Sequence, residues 1–130
     1  MLTALAFVLT LENGERFRKS RDVGSYLGLR PRRDQSGQSD RQLPITKAGD
    51  VYLRTLLVNC AHYIMGPFGP DTALRRWGMR LVERGGKNAK KRAIVAVARK
   101  LSVLMHHLWV SGEDFEAFPE QHRQPTSAAA

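Results

Sequence analysis

Apolar and polar positions divide the chain into five helical stretches and one long break. Leu2 to Leu11 is apolar nearly all round, which predicts a short helix closed by Asn13-Gly14. Such a helix needs a surface to cover it. Ser20 stands in capping position for a second short helix, with Val23, Tyr26 and Leu27 inward and Gly28 as its stop. From Leu29 to Pro44 the run LRPRRDQSGQSDRQLP follows neither helix nor strand period. It reads as a long Arg/Ser/Gly-rich loop, and loops of that length in compact domains are usually functional or disordered.

Helix period resumes at Thr46, the expected cap, and runs to about Met65. Leu53, Leu56, Leu57, Cys60, Ala61 and Ile64 form the apolar stripe. Gly66-Pro67 stops it. Asp71 stands in position to cap a fourth helix, with Leu74, Trp77, Gly78 and Leu81 inward and Arg76, Arg80 and Arg84 on another face. Gly85-Gly86 ends that one. Asn88 then opens a last long helix reaching about Val110, built on Ile94, Val97, Ala98, Leu101, Leu104, Met105 and Leu108. Arg92, Arg99 and His106 line its opposite face, expected to be solvated. The pattern fades after Ser111, and HRQPTSAAA reads as a solvated tail. The fold expected is therefore all-α, a compact bundle of about five helices with a long functional loop. Residues 1–115 form the domain and residues 116–130 a flexible tail.

Composition leaves that picture intact. With 42% apolar and 25% charged residues, a chain of 130 residues can bury a core without disulfides or metals. Charge changes it: 21 Lys+Arg against 12 Asp+Glu give a formal net charge of +9. An anionic partner follows, and nucleic acid is the commonest, bound through counterion release. Cys60 is the sole cysteine, which excludes an internal disulfide and agrees with a reducing cytoplasm. No Cys/His cluster has zinc spacing, and the acidic residues form no two-metal set. The apolar start lacks a basic flank and a cleavage site, and is too short to span a bilayer. No membrane partner is expected.

Three places can carry chemistry. In the loop, Arg30, Arg32, Arg33 and Arg41 surround Ser36 and Ser39, and guanidinium groups offer paired donors to phosphate oxygens. Ser36 precedes Gly37, which permits close backbone approach. Its hydroxyl can attack a phosphodiester if arginines stabilise the pentavalent phosphorus; Ser-Gly in a polar loop is also an ordinary turn. In GGKNAKKR, Lys87, Lys90 and Lys91 gather at a helix start. That is unfavourable against the helix dipole unless an anion is present. Lys47 and Arg54, seven apart, align on one side of the helix after the loop, and Arg99 and Lys100 can also reach phosphate. Trp77 and Trp109 read as packing residues.

These residues bring a family into view. YLGLRPRRDQSG at Tyr26–Gly37, ITKAGDVYLRTLLVNCA at Ile45–Ala61, ARKL at Ala98–Leu101 and LW at Leu108–Trp109 occur in the order seen in one domain. The chain resembles the C-terminal "Transposase 20" domain of the DEDD-type insertion-sequence transposases, the insertion sequence one-ten class, over about residues 1–115. The resemblance implies that Ser36, the serine before glycine, attacks DNA and forms a transient phosphoserine link, with Ser39 a poor second. It also implies an N-terminal RNase-H-like domain whose DEDD carboxylates bind Mg2+. This chain, read as N-terminally truncated, lacks that domain. Homo-oligomeric assembly and a guide RNA from the element are further implications.

Three functions fit: a transposase domain acting in DNA recombination through Ser36, a non-catalytic nucleic-acid-binding remnant of a truncated transposase, or an interaction fragment docking through its first helix. Arg30, Arg32 and Arg33 would position the attacked phosphate in the first. Lys47 and Arg54 would hold the flanking backbone, and the Gly85–Lys91 turn a more distant phosphate.

Overall fold

The computed structural model describes residues 2–29, 31–36, 39–45, 47 and 49–118, with 31–36 and 39–44 described by their backbone. Among them are five α-helices: α1 (Leu2–Leu11), α2 (Arg21–Tyr26), α3 (Val51–Met65), α4 (Ala73–Glu83) and α5 (Ala89–Ser111). The all-α architecture stands, and these helices carry the core. The segment expected as a loop is an antiparallel hairpin, β1 (Pro31–Ser36) and β2 (Ser39–Ile45), appended to that core.

Helix α5 is the centre. Its residues Ala93, Ile94, Val97, Ala98, Ser102 and His106 are buried, and α2, α3 and α4 all pack against it. By length and composition it could cross a membrane. In this fold it is the central helix, contacted by α2, α3 and α4. Close approach is set by small residues. A Cβ at Gly78 of α4 would meet Met65 Sδ at 2.4 Å and Val97 Cγ2 at 2.7 Å, so α3, α4 and α5 interlock where α4 has no side chain. Leu53 and Leu57 of α3 and Val23 and Leu27 around α2 complete the buried cluster.

Helix α1 ends where expected, and Asn13 Oδ1 accepts from Glu15 N–H to start a 3-10 turn at Gly14–Arg16. Phe7 and Leu11 are buried, with Phe7 edge-on to Trp109 at 6.3 Å. Thr3 Oγ1 lies 3.3 Å from Cys60 Sγ and ties α1 to α3. Leu2, Leu5 and Leu9 remain exposed on the other side. Trp77 and Trp109 pack against the core, as their pattern implies.

Several local expectations are corrected. The third helix begins at Val51, not Thr46. Lys47 and Gly49 have φ of +55° and +86°, which a right-handed helix excludes, and Lys47 N–H turns back to Gly28 O at 3.0 Å. Asp50 therefore caps α3, its Oδ1 accepting from Leu53 N–H at 2.7 Å. Thr72, not Asp71, caps α4. Asp71 pairs with Arg76 at 2.7 Å, and that guanidinium holds its carboxyl below the usual carboxylate range. Asn88 sits at φ +61° and makes no capping bond. The far end of α3 is closed by Arg75, whose Nη1 donates to Ile64 O (2.7 Å) and to Gly66 O. Ala73 N–H donates to Ala117 O at 2.8 Å. Residues 119–130 of the expected tail lie outside the described residues.

His106, placed by its spacing on a solvated face, is 3% exposed. Its Nε2 lies 2.7 Å from Gly14 O, and its Nδ1 lies 2.9 Å from Ser20 Oγ. A carbonyl only accepts, so Nε2 carries a proton. In the neutral ring, Nδ1 then accepts from the Ser20 hydroxyl. This occupies the Ser20 side chain, which makes no capping bond to α2. One imidazole thus joins the 3-10 turn, the start of α2 and α5. His106→Ala should lower the unfolding free energy by about 2–4 kcal/mol in urea titration, through a cavity and two unmet polar groups. Ser20→Ala should cost about 1 kcal/mol. Equal, negligible losses would show that the bridge contributes nothing.

Candidate nucleic-acid interface

The hairpin is rooted in the core by Leu29, which is buried, and Ile45, which packs against the buried cluster. Pro31 pairs with Ile45 at the root, and Ser36 pairs with Ser39 at the other end. Five residues of strand separate the two levels, roughly 17 Å. The register slips between Pro31 and Arg33, so β2 carries one extra residue opposite them. Pro44 falls within that stretch and has no N–H for the ladder, which accounts for the bulge. The Ser36 backbone thus lies at the end of an extended ribbon. The side chains of Ser36, Ser39, Arg32 and Arg33, and the whole of Arg30, lie outside the described residues.

Lys47 and Arg54 do not share a helix face, because only Arg54 is helical. They nevertheless reach adjacent carbonyls. Lys47 N–H donates to Gly28 O, and Arg54 Nη1 donates to Leu27 O at 3.3 Å. Both residues therefore stand at the C-terminal end of α2, beside the root of the hairpin. The Lys47 side chain is exposed and Arg54 is half-buried. Gly49 makes this join possible. A Cβ there would stand 2.1 Å from Tyr26 O, so the returning chain touches α2 backbone to backbone.

Arg99 lies on the α2 side of α5. A Cβ at Gly24 would meet its Cγ at 2.8 Å, so the arginine stem crosses α2 over a glycine notch. Lys100 faces the opposite way, its Nζ 4.1 Å from the centroid of the Trp77 ring. The two adjacent cations, grouped together in the sequence, belong to different surfaces. Lys87, Lys90 and Lys91 are exposed at the turn into α5, and no acidic partner reaches them among the described residues. Among the described residues, no three His, Cys, Asp or Glu side chains converge.

Sequence reasoning missed Arg18, Lys19 and Arg21, all exposed at the start of α2. The signal was available: RFRKSR holds four cations in six positions. It also missed the join at Gly49, which only the approach of two distant segments makes visible.

A helical core thus carries a ribbon that is basic in sequence and has a serine at its end. Residues 1–75 match the model of the Transposase IS116/IS110/IS902 family, and the chain belongs to that family. It is 34% identical over 115 residues to the transposase for insertion sequence element IS1111A of Coxiella burnetii, covering 88% of this chain and 31% of that protein. It is 35% identical over 98 residues to a probable family 20 transposase of Pseudomonas aeruginosa, covering 75% and 28%. The pilin gene-inverting protein of Moraxella lacunata is 31% identical over 100 residues, covering 76% and 30%. The chain thus spans less than a third of the length of each.

The Gly49 contact yields a direct test. Gly49→Ala should cost about 1–3 kcal/mol from backbone strain alone, with the carbonyl clash added. Limited proteolysis should then cut first between residues 29 and 50. A variant as resistant as the unaltered chain would show that the join does not hold the hairpin root.

Proposed function

We propose that this chain is the serine-bearing domain of a transposase that breaks and rejoins DNA. The observation carrying the reading is family membership over a segment that includes Ser36, together with the backbone position of Ser36 at the end of a rooted, basic ribbon. Ser36 Oγ attacks a DNA phosphorus. A serine–phosphorus ester forms, the bond from phosphorus to one deoxyribose oxygen breaks, and the freed sugar hydroxyl takes the proton that leaves Ser36. A second DNA end reverses the step and releases the serine, so strand exchange needs no external energy source.

Arg30, Arg32 and Arg33 neutralise the attacked phosphate in this reading, since charge developing on phosphorus oxygens is best met by preorganised guanidinium groups. Lys47 and Arg54 hold the backbone next to it, at the ribbon's root. Lys87, Lys90 and Lys91 grip a more distant phosphate. The setting is the cytoplasm. The assembly is one of several family-length chains, with an element-encoded RNA as guide and Mg2+ held by carboxylates outside this segment.

A second reading is that the chain binds nucleic acid and catalyses nothing. It is favoured by the formal net charge of +9, which suits a polyanion whether or not chemistry follows binding. One experiment separates the two. The chain is joined to the remainder of a family-length transposase, incubated with element-end DNA and magnesium, and assayed for a denaturant-resistant protein–DNA adduct. Adduct should form and should fall by roughly 10³-fold or more in Ser36→Ala, the scale on which loss of a nucleophile acts. Undiminished adduct in that variant would remove Ser36 from the mechanism. Salt-sensitive binding without any adduct would favour the second reading.

A further inference from the structure

Helix α2 and α5 run antiparallel, and the contacts fix their register. Ser20 meets His106, and Gly24 meets Arg99 and Ser102. Cations therefore fall in order along α2. Arg18, Lys19 and Arg21 stand at its start, Arg99 crosses at the level of Gly24, and Lys47 and Arg54 close the end where the hairpin begins. From Ser20 to Gly28 the rise is roughly 12 Å. Successive phosphates of one DNA strand rise about 3.4 Å along the helix axis while winding round it, which sets them roughly 7 Å apart, so this edge matches two or three of them.

Two details mark the edge as built for an anion. Among the described residues, Arg18, Lys19, Arg21 and Arg99 have no acidic side chain within ion-pair distance. Arg99 is also held in place without such a partner. Its stem lies where a Cβ on Gly24 would be, so its aliphatic part is packed, and packing of this kind lowers the entropy lost on binding. The exposed carboxylate of Asp22 in the first turn of α2 offsets one of these charges; the remaining cations repel one another, and a polyanion laid along the edge relieves that repulsion.

We propose that the α2 edge, through Arg18, Lys19, Arg21 and Arg99, is a contact surface for the phosphate backbone of duplex DNA. It guides one strand toward the root of the hairpin. The inference rests on the reading of the chain as a DNA-acting domain and adds the surface that sets the path of the strand. The edge contributes backbone contacts only and reads no bases, because its positions are charged points along a line rather than paired donors to base edges.

The test compares two double variants of equal charge, Arg18→Gln/Arg21→Gln and Arg80→Gln/Arg84→Gln, in the full chain. All four residues are exposed. Binding to a fluorescent DNA duplex is measured by anisotropy over a series of salt concentrations. Thermal melts check that both variants fold. The first variant should flatten the slope of log affinity against log salt by roughly 1.8, at about 0.9 per lost phosphate contact, and adding Arg99→Gln should remove roughly another 0.9. The second variant should leave the slope unchanged. Equal slopes in the two variants would overturn the α2 edge while the unaltered chain's own salt-dependent binding preserved the DNA reading. No binding by the unaltered chain at any salt would overturn both.

Discussion

Burial of α5 is the constraint on which the rest depends. Its apolar stripe is too long for one neighbour to cover, so α3 and α4 enclose one part, and α2 and the 3-10 turn enclose another. The change of partners along the helix explains why a polar residue can be buried there. Near Ile94 and Val97 the neighbours are apolar helices. Near His106 the neighbours are a turn and a helix start, both of which expose backbone and hydroxyl groups needing partners. Imidazole meets one group on each side. The helix is thereby fixed in rotation, and with it the direction in which Arg99 and Lys100 leave.

That rotation sorts the basic residues. Arg99 goes to α2 and Lys100 to Trp77, although they are adjacent in the chain. Arg16 donates to Leu11 O and Arg75 to the end of α3, so both close backbone ends. The formal charge of +9 is therefore not spread evenly over the outside of the molecule. Part of it closes helix and turn ends, and part is gathered along α2 and at the turn before α5. The proposed path of a polyanion past α2 to the ribbon follows this sorting.

The helices and their inward residues were legible in the sequence, because a core helix repeats every three or four positions and α3, α4 and α5 keep that period. Helix ends were less legible. Thr46, Asp71 and Asn88 each looked like caps, yet two positive-φ residues postpone α3, Thr72 captures the cap of α4, and Asn88 turns left-handed instead. Those outcomes depend on which backbone group the folded chain brings near. His106 was misplaced for a related reason. Periodicity assumes one buried face along a helix, and α5 has a buried face that turns. The hairpin was hidden because its residues alternate in no apolar pattern; its pairing is a matter of backbone bonds and not of a buried face. The candidate serine was singled out by its motif, while the proposed surface beside α2 arises only when α2, α5 and the segment after the hairpin come together.

The contact of Thr3 with Cys60 has a practical consequence. The thiol is the single cysteine, it is half-buried, and it is covered from the side of α1. Any lifting of the first helix from the bundle uncovers the thiol further and therefore speeds its alkylation. The molecule carries its own chemical clock for that motion, readable by mass without any label being introduced.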